Sequence, residues 1–75
     1  MRRKDTIYNK VVLTNGVRYY FILKNDVYEI YPDFYVYLGT TSHIPSHIIR
    51  SLKRVPSEAF EEVIQKIIEE NEVER

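Results

Sequence analysis

The pattern of apolar and polar positions changes once along the chain, from alternation with a period of two to a helical period. Between residues 11 and 38, short apolar-rich runs are separated by pairs of turn-forming residues. Asn15-Gly16 tolerates the positive φ angles of a tight hairpin turn, and Asn25-Asp26 and Pro32-Asp33 are also typical turn pairs. The pattern therefore predicts an antiparallel meander of three or four strands within residues 6–38.

Helical periodicity begins after Gly39. A first helix is predicted for residues 42–55, and its apolar face consists of Ile44, Ile48, Ile49, Leu52 and Val55. Pro56 interrupts the pattern, and Ser57 can cap a second helix over residues 57–72. The apolar stripe of this second helix consists of Phe60, Val63, Ile64, Ile67 and Ile68. We expect a single α+β domain, residues 1–75, in which both helices pack on one face of the sheet.

The predicted turns also fix which side chains share a face of the sheet. A two-residue loop at Asn15-Gly16 places Val12 opposite Tyr19, and one at Asn25-Asp26 places Leu23 opposite Tyr28. The predicted core face consists of Tyr8, Val12, Val17, Tyr19, Phe21, Leu23, Tyr28 and Ile30, with Lys10 at its margin. The opposite face, called the second face below, consists of Ile7, Asn9, Val11, Leu13, Arg18, Tyr20, Ile22, Lys24, Val27, Glu29 and Tyr31.

The second face is too apolar to contact water alone, since exposed patches of this kind usually mark an interaction site. One hypothesis is a homodimer formed by stacking two sheets, and another is a sheet curled into a small barrel. A third is a ligand platform, with Tyr20 and Tyr31 stacking on bases while Arg18 and Lys24 contact phosphates. The sequence leaves these three alternatives open.

Charge is divided unequally along a chain whose formal net charge is zero. Residues 1–56 contain nine basic and four acidic residues, a balance of +5, whereas residues 57–75 contain two and seven, a balance of −5. The basic side chains include a predicted flexible arm within residues 1–5 and a cluster on the first predicted helix; they are Arg2, Arg3, Lys4, Arg50, Lys53 and Arg54. Such clusters are suited to phosphate contacts, and they carry no sequence specificity.

The residues that support catalysis or metal binding are sparse. His43 and His47 are two histidines without further ligands at metal-binding spacing, and there are no cysteines, so we expect no metal site. No phosphate-binding glycine loop or nucleophile elbow is present in the sequence, so we expect neither a cofactor nor an enzymatic activity. The longest apolar runs have five residues each, as in Tyr19 to Leu23, far short of the roughly 20 needed for a membrane span.

Two functions from different classes follow from these patterns. The first is a small non-enzymatic binding module that acts as a nucleic-acid-associated regulator, through the basic residues and the two tyrosines named above. The alternative is a protein-interaction module, homodimerising or adaptor, that uses the second face or the acidic C-terminal helix. We expect a homodimer, because the second face is too apolar to contact water alone. We expect a cytoplasmic location, because neither cysteines nor a secretory signal pattern is present. Frequent Ile, Val, Tyr, Glu, Lys and Arg with a single Gln are typical of thermophilic proteins.

Overall fold

A computed structural model describes the backbone of residues 11–73 and the side chains of residues 11–71. Five strands form one antiparallel sheet in the order β4-β3-β2-β1-β5. The strands are β1 (Val12–Thr14), β2 (Tyr19–Leu23), β3 (Asp26–Ile30), β4 (Tyr35–Thr40) and β5 (Lys53–Val55). The helices are α1 (Ser46–Ser51) and α2 (Glu61–Val73), each preceded by a 3-10 turn, at Thr41–His43 and Glu58–Phe60. The expected α+β class with an antiparallel sheet is confirmed. The predicted flexible arm with Arg2, Arg3 and Lys4 lies outside the described residues.

Both predicted hairpin registers are wrong by two residues. Thr14 pairs with Tyr19, so the first loop contains four residues rather than two. The carboxamide oxygen of Asn15 accepts hydrogen bonds from the N–H groups of Val17 and Arg18, both at 2.9 Å. The side chain of Asn15 therefore closes the loop in place of the expected two-residue turn. Because the shift is by an even number, the residues of β1, β2 and β3 keep the predicted face.

The second hairpin shifts because β3 begins one residue earlier than predicted. Asp26 pairs with Leu23 on one side and with Thr40 on the other, so the loop consists of Lys24 and Asn25. Lys24 adopts a φ of 58°, a left-handed conformation that costs a non-glycine residue energy. The carbonyl of Asn25 accepts a hydrogen bond from the N–H of Thr41 at 2.8 Å, which ties this loop to the end of β4.

The core lies between the sheet and α2. Buried side chains of the first three strands meet Phe60 of the second 3-10 turn and the apolar stripe of α2. The core residues are Val12, Phe21, Leu23, Tyr28, Ile30, Phe60, Val63, Ile64, Ile67 and Ile68. The predicted stripe of the second helix is therefore the one that packs. Val17 and Tyr19 were expected here as well, yet Val17 is 77% exposed and Tyr19 is 40% exposed. The longer first loop carries Val17 away from the core.

The first predicted helix, residues 42–55, is mostly not a helix. Only Ser46–Ser51 is α-helical, and Lys53–Val55 instead forms β5, paired with β1. The physical reason is the position of β4 and β5 at opposite edges of the sheet, about 19 Å apart at roughly 4.8 Å per strand. The intervening chain, residues 41–52, must cross the sheet, and it crosses over the second face. The expectation that both helices pack on one face is therefore wrong.

Candidate interaction surface

An apolar groove lies between the second face and the crossing segment 41–52. Its volume is about 230 Å³. The sheet contributes Tyr20, Ile22, Val27 and Leu38, and the crossing segment contributes Ile44, Ile48, Ile49 and Leu52. The only polar side-chain atom in this lining is the hydroxyl oxygen of Tyr20. The groove lining is therefore hydrophobic, and it is suited to apolar groups rather than to ions.

Burial in the groove is uneven. Val27 is 2% exposed at its floor, whereas Leu38 is 40% exposed and Ile48 is 43% exposed. An apolar cavity of about 150 Å³ holds a benzene-sized ligand, so the groove has room for one or two apolar side chains. The crossing segment covers the second face in part. None of the three hypotheses from the sequence (a sheet-stacked homodimer, a small barrel or a ligand platform) included this cover.

A second apolar surface runs along the β4 edge of the sheet. Phe34, Val36, Tyr37 and Leu38 are 51%, 44%, 53% and 40% exposed. Leu38 belongs to both surfaces, because it lines the groove and is also a residue of β4. It lies at a bulge, since Val27 pairs with Gly39 while Tyr28 pairs with Tyr37. The groove and the β4 edge are thus continuous.

A charged cluster on the second face consists of Arg18, Glu29 and Tyr31. Arg18 Nη1 donates to Glu29 Oε2 at 2.7 Å, and the Tyr31 hydroxyl donates to the same oxygen at 2.5 Å. Glu29 is only 9% exposed, although it is a carboxylate. The two donors therefore supply the partners that a buried charge requires.

These contacts change the protonation equilibria of all three groups. The hydrogen bond from Tyr31, followed by that from Arg18, lowers the pKa of Glu29, because both bonds favour the ionised carboxylate. The same bond to Glu29 raises the pKa of Tyr31, since losing the phenolic proton would break it. Hydrogen bonding to Glu29 also raises the pKa of Arg18. The cluster is therefore a paired structural unit at neutral pH.

The tyrosines predicted to stack on bases occupy two different environments. Tyr20 is half-buried in the groove lining. Tyr31 already stacks on Phe34, with ring centroids 4.3 Å apart and planes 7° from parallel. One face of the Tyr31 ring is thus occupied by a residue of the same chain.

The two basic residues predicted to accompany them do not converge. Arg18 precedes β2 and is paired with Glu29, whereas Lys24 follows β2 in an exposed turn. Six residues of extended strand separate them, which corresponds to about 20 Å. A single phosphate cannot contact both side chains at that spacing.

The remaining predicted basic residues form a looser set beside β5. Arg50 is exposed on α1, and Lys53 and Arg54 are exposed on β5. As adjacent strand residues, Lys53 and Arg54 point to opposite faces of the sheet. Within the described residues, none of the three has an ion-pair partner. Their charge is therefore available, although spread over both sides of the β5 edge.

The acidic residues form a separate surface on α2. Glu61, Glu62, Glu69 and Glu70 are exposed, and Lys66 is the single basic residue of this helix. Glu70 accepts a hydrogen bond from the hydroxyl of Tyr35, which links the helix to β4. The oppositely charged surfaces expected from the sequence therefore lie on different elements, α2 and the α1–β5 region.

His43 has a local role at the end of β4. His43 Nδ1 lies 3.2 Å from the Thr40 N–H, from which it accepts a hydrogen bond. Among the described residues, no group of three or more histidine, cysteine or acidic side chains could hold a metal ion. No helix in the described part of the chain is long and apolar enough to span a membrane.

Sequence reasoning placed Tyr20, Ile22 and Val27 on the second face, but it missed the other wall of the groove and the β4 edge. It assigned Ile44, Ile48 and Ile49 to a helix over the core face, because helical periodicity does not indicate which face of a sheet is covered. The exposed edge had a visible signal. The run from Tyr35 to Thr40 is apolar, uncharged and last in the meander, which is the composition of an unprotected edge strand.

Comparison with known proteins gives no relative. No protein-family model, no curated protein and no solved structure matches this chain.

Proposed function

We propose that this chain is a small non-enzymatic module that binds another polypeptide through the apolar groove. The observation that supports this proposal is the partial exposure of Leu38 and Ile48 at the mouth of a groove whose floor is buried. Apolar side chains from a partner would complete the burial of these two residues. Burial of this kind contributes about 25 cal/mol for each Å² of apolar surface removed from water.

The chemistry of the lining favours a polypeptide over a charged ligand. Apart from the Tyr20 hydroxyl, the lining offers no side-chain group for orienting a phosphate or a carboxylate. Small-molecule sites usually contain several convergent polar groups that fix orientation. An amphipathic segment needs only apolar contacts in the groove, with its polar face left in water.

A capture experiment with matched variants tests this proposal. Ile48→Glu places a charge at the groove mouth, and Val17→Glu places the same charge on an exposed loop residue that does not line the groove. Each protein is immobilised and exposed to a nuclease-treated extract of the source cells, and retained proteins are quantified by mass spectrometry. We expect one set of proteins to be retained by the natural chain and by Val17→Glu, and lost from Ile48→Glu.

Two results would contradict the proposal. One is that Ile48→Glu and Val17→Glu retain the same proteins in equal amounts, while circular dichroism shows that both variants are folded. The other is that the natural chain retains nothing beyond what an empty matrix retains.

A second candidate function is nucleic-acid association, and it rests on a different observation. Arg50, Lys53 and Arg54 are exposed and have no ion-pair partner in the described residues. Unpaired cations can replace counterions along a phosphate backbone, which gives binding that weakens with salt. Arg18 is a poorer candidate for this role, because Glu29 already holds it.

Titration with a mixed oligonucleotide pool at low salt tests this second candidate. Binding that falls linearly in a plot of log affinity against log salt is expected. The double variant Arg50→Glu with Lys53→Glu should weaken it more than Arg18→Glu with Lys24→Glu does. No binding, or binding that salt leaves unchanged, would exclude this function.

A further inference from the structure

The two edges of the sheet differ in how they are protected. β5 contains only three residues, two of them are Lys53 and Arg54, and Pro56 follows. Short length, charge and proline are the usual devices that prevent an edge strand from pairing with another chain. β4 contains six residues, Tyr35–Thr40, and none of them is charged. β4 is thus the open edge of the described sheet.

The direction of the backbone groups defines the open part of β4. The carbonyl of Phe34 accepts a hydrogen bond from the N–H of Tyr31 at 2.8 Å, so it faces β3. Backbone groups alternate along a strand, and those of Tyr35 and Tyr37 therefore face away from the sheet. The N–H of Thr40 is bonded to His43 Nδ1, which closes the far end of the edge. The open backbone groups are therefore those of Tyr35 and Tyr37, on either side of Val36.

We propose that β4 pairs in antiparallel fashion with β4 of a second copy of this chain, about a two-fold axis at Val36. Two five-stranded sheets then become one continuous sheet. In this register the outward backbone groups of Tyr35 bond to those of Tyr37 in the second copy, and the converse bonds follow from symmetry. Val36 faces Val36 of the second copy across the axis.

The side chains favour a second copy as the occupant of this edge. The register places β-branched Val36 against itself and tyrosine against tyrosine, and such pairs stabilise antiparallel strands. Phe34 lies near Leu38 of the second copy, so the exposed apolar side chains of the edge contact one another. No charged residue meets a like charge in this strand, and the chain as a whole has zero formal net charge.

Disulfide trapping tests the register directly. Val36 is a non-hydrogen-bonded pair at the axis, with Cα atoms about 4.5 Å apart, within the range of about 4.4–6.8 Å that a disulfide spans. The natural chain contains no cysteine, so Val36→Cys introduces a single thiol. Val17→Cys is the matched control, because it replaces the same residue type at a position that is more exposed.

Under mild oxidation, Val36→Cys should give a cross-linked dimer at least about tenfold faster than Val17→Cys, because only the former is held within bonding distance. Mass spectrometry of the digested dimer should identify a disulfide between two copies of the β4 peptide. Equal rates for the two variants would overturn the proposal.

Sedimentation equilibrium of the purified natural chain supplies the second measurement. A reversible dimer is expected, and Val36→Lys should weaken it by at least about tenfold, because two lysines would face each other across the axis. Val17→Lys should leave the dissociation constant unchanged. A natural chain that stays monomeric, or a dimer that Val36→Lys leaves intact, would refute the proposed pairing. Ile48→Glu should not alter the dimer, so failure of the groove proposal and failure of this one are distinguishable.

Discussion

Glu29→Gln measures what the charged cluster contributes to stability. The natural carboxylate accepts two hydrogen bonds at one oxygen, from the Arg18 guanidinium and from the Tyr31 hydroxyl. Glutamine keeps the shape of the side chain and a carbonyl acceptor, and it removes the negative charge. The substitution therefore makes the bond from Tyr31 neutral and removes the ion pair from the bond with Arg18, whose guanidinium keeps its charge, without opening a cavity.

The expected loss follows from the two bonds and their exposure. A hydrogen bond to a charged group contributes about 1.5–3 kcal/mol and a neutral one about 0.5–1.5 kcal/mol. The bond from Tyr31 becomes neutral, which costs about 1 kcal/mol. The bond from Arg18 keeps its charged donor, and because that side chain is 55% exposed, solvent screening makes its share of the loss small. We expect a loss of about 1 kcal/mol at pH 7, which lowers the midpoint of thermal unfolding by about 4–8 °C.

The pH dependence provides a second and independent readout. Because the folded state lowers the pKa of Glu29, its contribution to stability is present above the unfolded pKa of about 4.3. It is lost as pH falls through the lower folded pKa. The stability difference between the natural chain and Glu29→Gln should therefore be constant from pH 7 to about pH 5 and should shrink below that.

Urea unfolding at several pH values, followed by circular dichroism, makes the measurement. Asp33→Asn is the matched control, because it removes a carboxylate from an exposed turn with no partner in the described chain. The control should change stability by less than about 0.5 kcal/mol. Equal stability of Glu29→Gln and Asp33→Asn, or a difference that persists unchanged at pH 3, would refute this account of the cluster.

Three further substitutions test the packing and the backbone, each by urea unfolding. Ile64→Ala removes a side chain with 0% exposure from the core, and should cost about 2–5 kcal/mol; a loss below 1 kcal/mol would contradict the placement of α2. Gly39→Ala should destabilise the chain by at least about 1 kcal/mol, since φ is 120° there and an added Cβ would lie 3.2 Å from His43 Nδ1; unchanged stability would be inconsistent with the bulge. Lys24→Gly should raise the free energy of unfolding by up to about 1 kcal/mol, because glycine relieves the left-handed strain at φ 58°. A lower free energy of unfolding for Lys24→Gly would indicate that the turn has a different conformation.

The local pattern predicted the parts of the fold that depend on neighbouring residues. The alternation along β2 and β3 predicted both strands and the face of each side chain. The predicted faces are correct although both registers are wrong by two residues, because side chains alternate between faces with a period of two. The stripe from Phe60 to Ile68 predicted the helix that packs on the core. The exact loop lengths were not predictable from the turn pairs, since they depend on the Asn15 side chain and on the pairing of Asp26 with Thr40.

The tertiary structure alone decided what happens to residues 41–55. Their apolar spacing fits a helix, but Lys53–Val55 gains hydrogen bonds along the free edge of β1 that a longer helix would forgo. Pairing at that edge forces the preceding segment across the second face, where Ile44, Ile48 and Ile49 form one wall of the groove. Likewise, one hypothesis from the sequence had Arg18 contact phosphates, and only the fold brings Glu29 and Tyr31 to it, because cross-strand neighbours depend on pairing between distant residues. The sequence by itself therefore determined the strands of the meander, the core helix and the polarity of each face, whereas β5 and the surfaces available for binding were decided by long-range strand pairing.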